Sequence, residues 1–356
     1  SFPPTIYNTT DTYEYGRDVG CAMPDDRTNV AIACQGGGSH TAFTAGVLEH
    51  LLANWPERYR IVGISGTSGG AFNATAVWYE LVADGRAAAA ETGTDVWHDL
   101  AADDGIDRAM NGWLRTVSRL QSAGAPVPRV SPYHLPGPEP GKERIRAVLE
   151  RYIDFEEIPE YCERTAPELV VGTVNVDSGE FETFVDEAVT VEAVLASAAV
   201  PNLYRAVEID GHHHWDGLFS QNPPVRDLLH QPPERKPEEV WIVQINDQSM
   251  ATEPRRLDAI ADRRNELSGN ISLNQELAFV EQVTEWVEAG MLPADRFTTP
   301  EIHPVVLAGG GTSPTQTGFD PGVLLGVVGP RPARGHSLLH PRAGGRPRSC
   351  ILAGPQ

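Results

Sequence analysis

Three short stretches of the chain could together cleave an ester. Gly66-Thr67-Ser68-Gly69-Gly70 is a G-x-S-x-G box that follows the β-branched run at 61–64 and leads directly into a helix-compatible run at 71–79. That order is what a nucleophile elbow requires: the strand stops abruptly, the serine sits on a tight turn with Oγ exposed, and flanking glycines let strand and helix pass closely. In a chain with 34 glycines such a box carries little weight alone, so its partners decide. Serine chemistry needs an activated Oγ, donors for the developing oxyanion and an acceptor for the serine proton. Gly36, Gly37 and Gly38 lie between a buried strand at 29–34 and an amphipathic helix, where bare N–H groups at a helix N-terminus can converge on one point. Asp216-Gly217 places a carboxylate in a glycine turn downstream.

Other chemistries compete for the same residues. A dinucleotide fingerprint would need glycine at Thr41 and an acid at the end of the second strand, where Ile64 and Ser65 stand. A Ser-His-Asp triad would need a late histidine after Ser68. The candidates are His98, His134, His212, His213, His214, His230, His303, His336 and His340, and only the 212–214 cluster adjoins a strand-end loop. A dyad would need just one carboxylate near Ser68, which Asp216 offers; on the residues alone, triad and dyad both stay open. A metal on His212–His214 is disfavoured, because neighbouring residues of a strand face opposite ways.

The elements that must position these groups follow from periodicity. Phe43, Val47 and Leu51 recur four apart, with Leu48 and Leu52 widening the stripe, so a helix of about four turns follows the glycine loop. A strand at 59–64 then enters the elbow. Strand, loop, helix, strand is a βαβ crossover and implies a parallel sheet. Further on, 142–152 reads as a helix, 168–174 and 180–185 as strands joined through Asp177-Ser178-Gly179, 189–199 as a small-residue helix, 206–209 and 240–245 as strands, and 256–288 as one or two long helices. Expected organisation is a leader of uncertain order at 1–28, a catalytic domain at 29–300 with a variable helical insertion at 85–155, and a Gly/Pro/Arg-rich tail at 309–356. The tail reverses the charge of the rest and lacks periodicity, so disorder is expected, with a frame-shifted coding end as the alternative.

Composition narrows the setting. A formal charge of -21 argues against nucleic acid or an anionic membrane as a charge-driven partner. Lys142 and Lys236 are the only lysines, so the chain is acid-rich and arginine-based, as in a high-salt cytoplasm or a GC-rich genome. Cys21, Cys34, Cys162 and Cys350 are scattered, which favours a reducing compartment over a disulfide framework. No run is long and apolar enough to span a membrane. A cytoplasmic location, peripheral on a membrane or storage granule, is the expectation.

Four blocks in order resemble the patatin-like acyl hydrolases: 36–48, the 66–70 box, Ala196-Ser-Ala-Ala-Val-Pro201, and Asp216-Gly-Leu followed by Asn222-Pro-Pro. The resemblance covers about 29–288. It implies a three-layer α/β/α fold with a mainly parallel central sheet, a Ser68/Asp216 dyad without histidine, an oxyanion loop at Gly36, Gly37 and Gly38, an elbow built with Gly66, Gly69 and Gly70, and no metal or cofactor for catalysis. The implied activity is hydrolysis of carboxyl esters of lipids at an interface. An intracellular polyhydroxyalkanoate depolymerase is the alternative within the family, and a catalytically silent lipid- or granule-binding protein the alternative outside it. His40 and Thr41 stand where the family usually has a basic residue and glycine, which weakens the positive field beside the loop. Leu218 replaces the usual small residue after Asp-Gly.

Overall fold

The computed structural model describes residues 26–101, 131–134, 138–162, 166–201, 203–246, 248–250, 252–294, 296–297, 299–308 and 350–353. Its strands are β1 (Thr28–Cys34), β2 (Tyr59–Thr67), β3 (Glu168–Asn175), β4 (Phe181–Val185), β5 (Val207–Ile209), β6 (His212–Asp216), β7 (Glu239–Gln244), β8 (Glu301–Ala308) and β9 (Cys350–Ala353). The helices are α1 (Ala42–Ala53), α2 (Gly69–Ala83), α3 (Arg86–Leu100), α4 (Pro138–Tyr152), α5 (Ile158–Cys162), α6 (Val191–Ser197) and α7 (Leu257–Glu288).

One sheet runs in the order β5-β6-β3-β2-β1-β7-β8-β9, with β4 pairing β3 as well. The β1, β2, β3, β7, β8 and β9 strands are mutually parallel, whereas β4 and β6 run antiparallel to β3. Apolar runs buried on both faces are what the centre of such a sheet demands, and β1 shows why the sequence N-V-A-I-A-C suits it. Val30, Ile32 and Cys34 pack into the core that holds Leu48, Trp78 and Trp97, while the alternate Ala31 and Ala33 face Leu228, Ile242 and Leu273 on the other side. Two cores on opposite faces of one sheet make three layers, as expected.

The first layer contains α1, α2 and α3. Trp97 of α3 donates its Nε1–H to Asn73 Oδ1 of α2 at 2.8 Å, so the polar atoms of this buried contact are matched. Within the expected insertion at 85–155, residues 86–100 and 138–152 form α3 and α4, and Leu100 and Leu149 are fully buried in the same core. The intervening 102–130 and 135–137 lie outside the described residues. In the 309–356 tail, Cys350–Ala353 forms β9 against β8, and the remainder lies outside the described residues, as do 1–25. Cys34 and Cys162 are free thiols. Among the described residues no helix is long and apolar enough to cross a membrane.

The other face is covered by α7, a single helix of 32 residues. Leu273 and Leu277 pack against the sheet, and between them Glu276 is buried. Its carboxylate accepts from the Val225 and Arg226 amides at 2.7 and 3.0 Å and from Gln221 Nε2 at 2.8 Å. Burial pushes its pKa up, and these donors hold it down in part. Removing the carboxylate strands buried donors, each costly without a partner. Glu276→Ala should therefore cost about 3 kcal/mol of stability. Glu276→Gln, which keeps one acceptor oxygen, should cost clearly less; urea unfolding midpoints at constant slope check both.

Candidate active site

The position of the serine follows from what happens along one edge of β3. Parallel to it, β2 pairs up to Thr67 opposite Gly172. At Ser68 the chain leaves the sheet, and from the next residue of β3 onward the same edge is taken by β6, with Asp216 opposite Thr173. The other edge is occupied throughout by β4, from Val170 to Val174. Ser68 and Asp216 thus meet at a junction where one strand ends and another begins. The Ser68 hydroxyl lies near enough to the Asp216 carboxylate to lower its pKa.

The turn at Ser68 has the strained geometry of an elbow. Its backbone adopts φ 56° and ψ -130°, a left-handed φ that non-glycine residues seldom take. A methyl at Gly66 would overlap the Gly70 carbonyl, and one at Gly70 would overlap the Cys34 carbonyl, so strand, turn and helix can cross this closely only without side chains. The turn is then pinned from outside: the Ser68 amide donates to Ser197 Oγ at 2.9 Å, and Ser197 Oγ donates to the Gly172 carbonyl at 2.7 Å. Ser68 remains 7% exposed.

The glycine loop lies against the same turn. A methyl on Gly36 would come within 2.8 Å of Ser68 Cβ, which places the loop directly beside the serine. Gly38 has φ 57°, a conformation that glycine adopts freely, and a 3-10 turn at Gly38–Thr41 precedes α1. One expected role needs correction. The Gly36 amide donates to Asn222 Oδ1 at 2.6 Å, so it holds the loop and is not available to an oxyanion. Among the described residues the loop and turn hydrogen bonds engage none of the Gly37, Gly38 and Gly69 amides, which leaves these as candidate donors. Gly69, read from sequence only as part of the elbow, begins α2 and adjoins the Gly38 carbonyl.

Sequence reasoning missed the residues that fix this loop. Asn222 Nδ2 and Asn246 Nδ2 both donate to the Gly36 carbonyl at 3.3 Å. Gln35 accepts from the Ile245 and Asn246 amides at 2.9 and 3.0 Å and donates to Asn270 Oδ1 at 3.1 Å. Asn222 and Ser197 stood inside recognisable blocks, at 222–224 and 196–201, whereas Gln35, Asn246 and Asn270 carry no motif.

Asp216 is 1% exposed. Burial raises its pKa from 3.8 to about 7, against the lowering effect of the Leu218 amide, 2.8 Å from Oδ1, and of the Ser68 hydroxyl. In the 212–214 cluster, His213 Nδ1 faces Asp177 at 3.1 Å and His214 Nε2 faces Glu182 at 3.0 Å. Cys34, at the end of β1, is held as a thiol by burial, its pKa pushed up to about 12. A serine hydroxyl beside a desolvated carboxylate whose pKa is raised to about 7 is placed for proton transfer to that carboxylate.

A strained serine elbow on a mainly parallel sheet flanked by helices, with Asp216 on an adjoining strand, defines a three-layer α/β/α architecture of the patatin type. The model of the patatin-like phospholipase family matches residues 32–229, and the chain belongs to that family. Among solved structures it is similar to VipD from Legionella pneumophila at 14% identity and TM-score 0.32, over 82% of this chain and 63% of that one. It is also similar to a chain in the complex of full-length SpcU with full-length ExoU from the type III secretion system of Pseudomonas aeruginosa, at 12% identity and TM-score 0.28, over 69% of this chain and 50% of that one. The chain thus spans less than two thirds of the length of either. No curated protein matches it.

The buried acid has a measurable cost. Below pH 3.8 Asp216 is protonated whether folded or not; as pH rises to about 7 the unfolded chain ionises first, so stability falls and then levels off. The full loss amounts to roughly 4 kcal/mol. In urea unfolding between pH 4 and pH 8, Asp216→Asn should lack this decline and become the more stable protein at the alkaline end. Parallel curves for the two proteins would contradict it.

Proposed function

We propose that the protein is a serine acyl hydrolase acting on carboxyl esters of lipids. The observation that carries the reading is the Ser68 hydroxyl, on a strained elbow, beside a buried Asp216 whose pKa is raised to about 7. Asp216 takes the proton from Oγ as Oγ attacks the ester carbonyl carbon. The negative oxygen of the tetrahedral intermediate accepts from the amides of Gly37, Gly38 and Gly69, with the N-terminus of α2 adding its positive end. As the intermediate collapses, the alcohol leaves with the proton from Asp216 and an acyl group stays on Oγ. Water then attacks the acyl carbon, gives its proton to Asp216, and releases the fatty acid as Oγ regains a proton. No step uses histidine. Phe219, 45% exposed in the turn just after Asp216, offers an apolar rim for an acyl chain. Membership of the patatin-like phospholipase family supports the lipid substrate class.

A fluorophosphonate probe should label the wild type and leave Ser68→Ala unlabelled. Asp216→Asn should lower kcat by about 10³-fold or more, in the range seen when a proton acceptor is lost, whereas His213→Gln should keep most activity. With Asp216 as base, kcat/KM should rise with pH through about 7 and then stay flat. Full activity in Asp216→Asn, or collapse in His213→Gln, would remove the dyad.

A further inference from the structure

At the other end of the sheet, three potential metal ligands face one another. Glu239 and Glu301 open β7 and β8 and lie directly opposite each other in the parallel register; Trp241 and His303 are the next opposite pair on the same face. Side chains two apart on a strand share a face, so the four form a two-by-two block. One ligand atom from each of Glu239, Glu301 and His303 falls within 4.8 Å of the others. We propose that these three residues bind a divalent first-row transition ion, with Zn²⁺ as the probe.

Two of the three ligand separations match those of a coordinated ion. His303 Nε2 stands 3.4 Å from Glu239 Oε2 and 3.6 Å from Glu301 Oε1. Bonds of about 2.0–2.2 Å from a tetrahedral zinc to nitrogen and carboxylate oxygen put neighbouring ligand atoms about 3.3–3.5 Å apart. A second observation is independent of the acids. His303 Nε2 is shut off from solvent and yet makes no hydrogen bond, so a buried ring nitrogen points between two carboxylates without satisfying either. Carboxylates directly opposite on adjacent strands repel, and a doubly charged ion between them turns that repulsion into attraction. The Trp241 indole N–H donates to Glu239 Oε2 at 3.0 Å, the kind of outer contact that orients a ligating carboxylate.

Imidazole with two carboxylates suits Zn²⁺, and three protein ligands leave a fourth position for water. Because β2 and β7 run parallel through β1, the strand beginnings at Glu239 and Glu301 are at the opposite end from Ser68, which follows the last residue of β2. The ion would bind β8 to β7, and β8 lies beyond the 32–229 region matched by the family.

The 356-residue chain, stripped with a chelator and titrated calorimetrically with ZnCl₂, should take up one ion per chain with a dissociation constant on the order of micromolar or tighter. Glu301→Gln, at a half-exposed position, and His303→Gln should each weaken binding at least tenfold. His213→Gln, in the separate group with His212 and Asp177, should leave it unchanged. Co²⁺ should give the visible d–d absorption of a four-coordinate site in the wild type and lose it in His303→Gln. Absence of saturable Zn²⁺ binding, or binding and Co²⁺ spectra unaltered in both Glu301→Gln and His303→Gln, would overturn the proposal.

Discussion

Everything around Ser68 depends on the way β3 shares one edge between two strands. Had β2 continued past Thr67, Ser68 would have been an ordinary strand residue with its hydroxyl against a neighbour. Had β6 begun earlier, it would have displaced the elbow. The changeover between Gly172 and Thr173 puts the end of one strand and the end of the other a single step apart. A methyl at Gly217 would strike the Gly172 carbonyl, so even the residue after the acid must be bare for the two chain ends to meet. The serine, the acid and the glycine loop are near one another because three backbones are stacked there with almost no side chains between them.

Two buried carboxylates beside this junction show opposite uses of the same physics. Glu276 is surrounded by donors to its charged form and ties α7 to the segment bearing Asn222, which in turn holds Gly36. Asp216 receives fewer donors and is more fully desolvated, so its proton affinity rises to the range useful for a base at neutral pH. The first spends its burial on position, and the second on a raised proton affinity.

Much of this was legible in the sequence. Strand, loop, helix, strand and elbow could be read because β-branched runs, four-residue apolar spacing and glycine clusters report local geometry. Asp216 was legible as an Asp-Gly pair only through its company in the ordered blocks. The clamp residues Gln35, Asn246 and Asn270 were not, because a lone amide has no spacing signal and acquires meaning only when distant segments converge. For the same reason Gly36 looked like its two neighbours until its amide proved to be engaged by a residue 186 positions away. The β8 strand was hidden by Pro304 in mid-strand, and the pairing of Glu239 with Glu301 depends on a register that no local pattern encodes.

The clamp on Gln35 has a consequence for how this architecture can be inherited. The family's matched region stops at 229, yet the groups that hold Gln35 and the Gly36 carbonyl include Ile245, Asn246 and Asn270. Cut at that boundary, the chain would also strip β7 from β1 and turn a central strand into a raw edge open to pairing with other chains. The recognisable motif is therefore not a transferable cassette: in a gene fusion or a shuffled domain, the ancestral serine box would travel as a working unit only with the featureless residues that follow it.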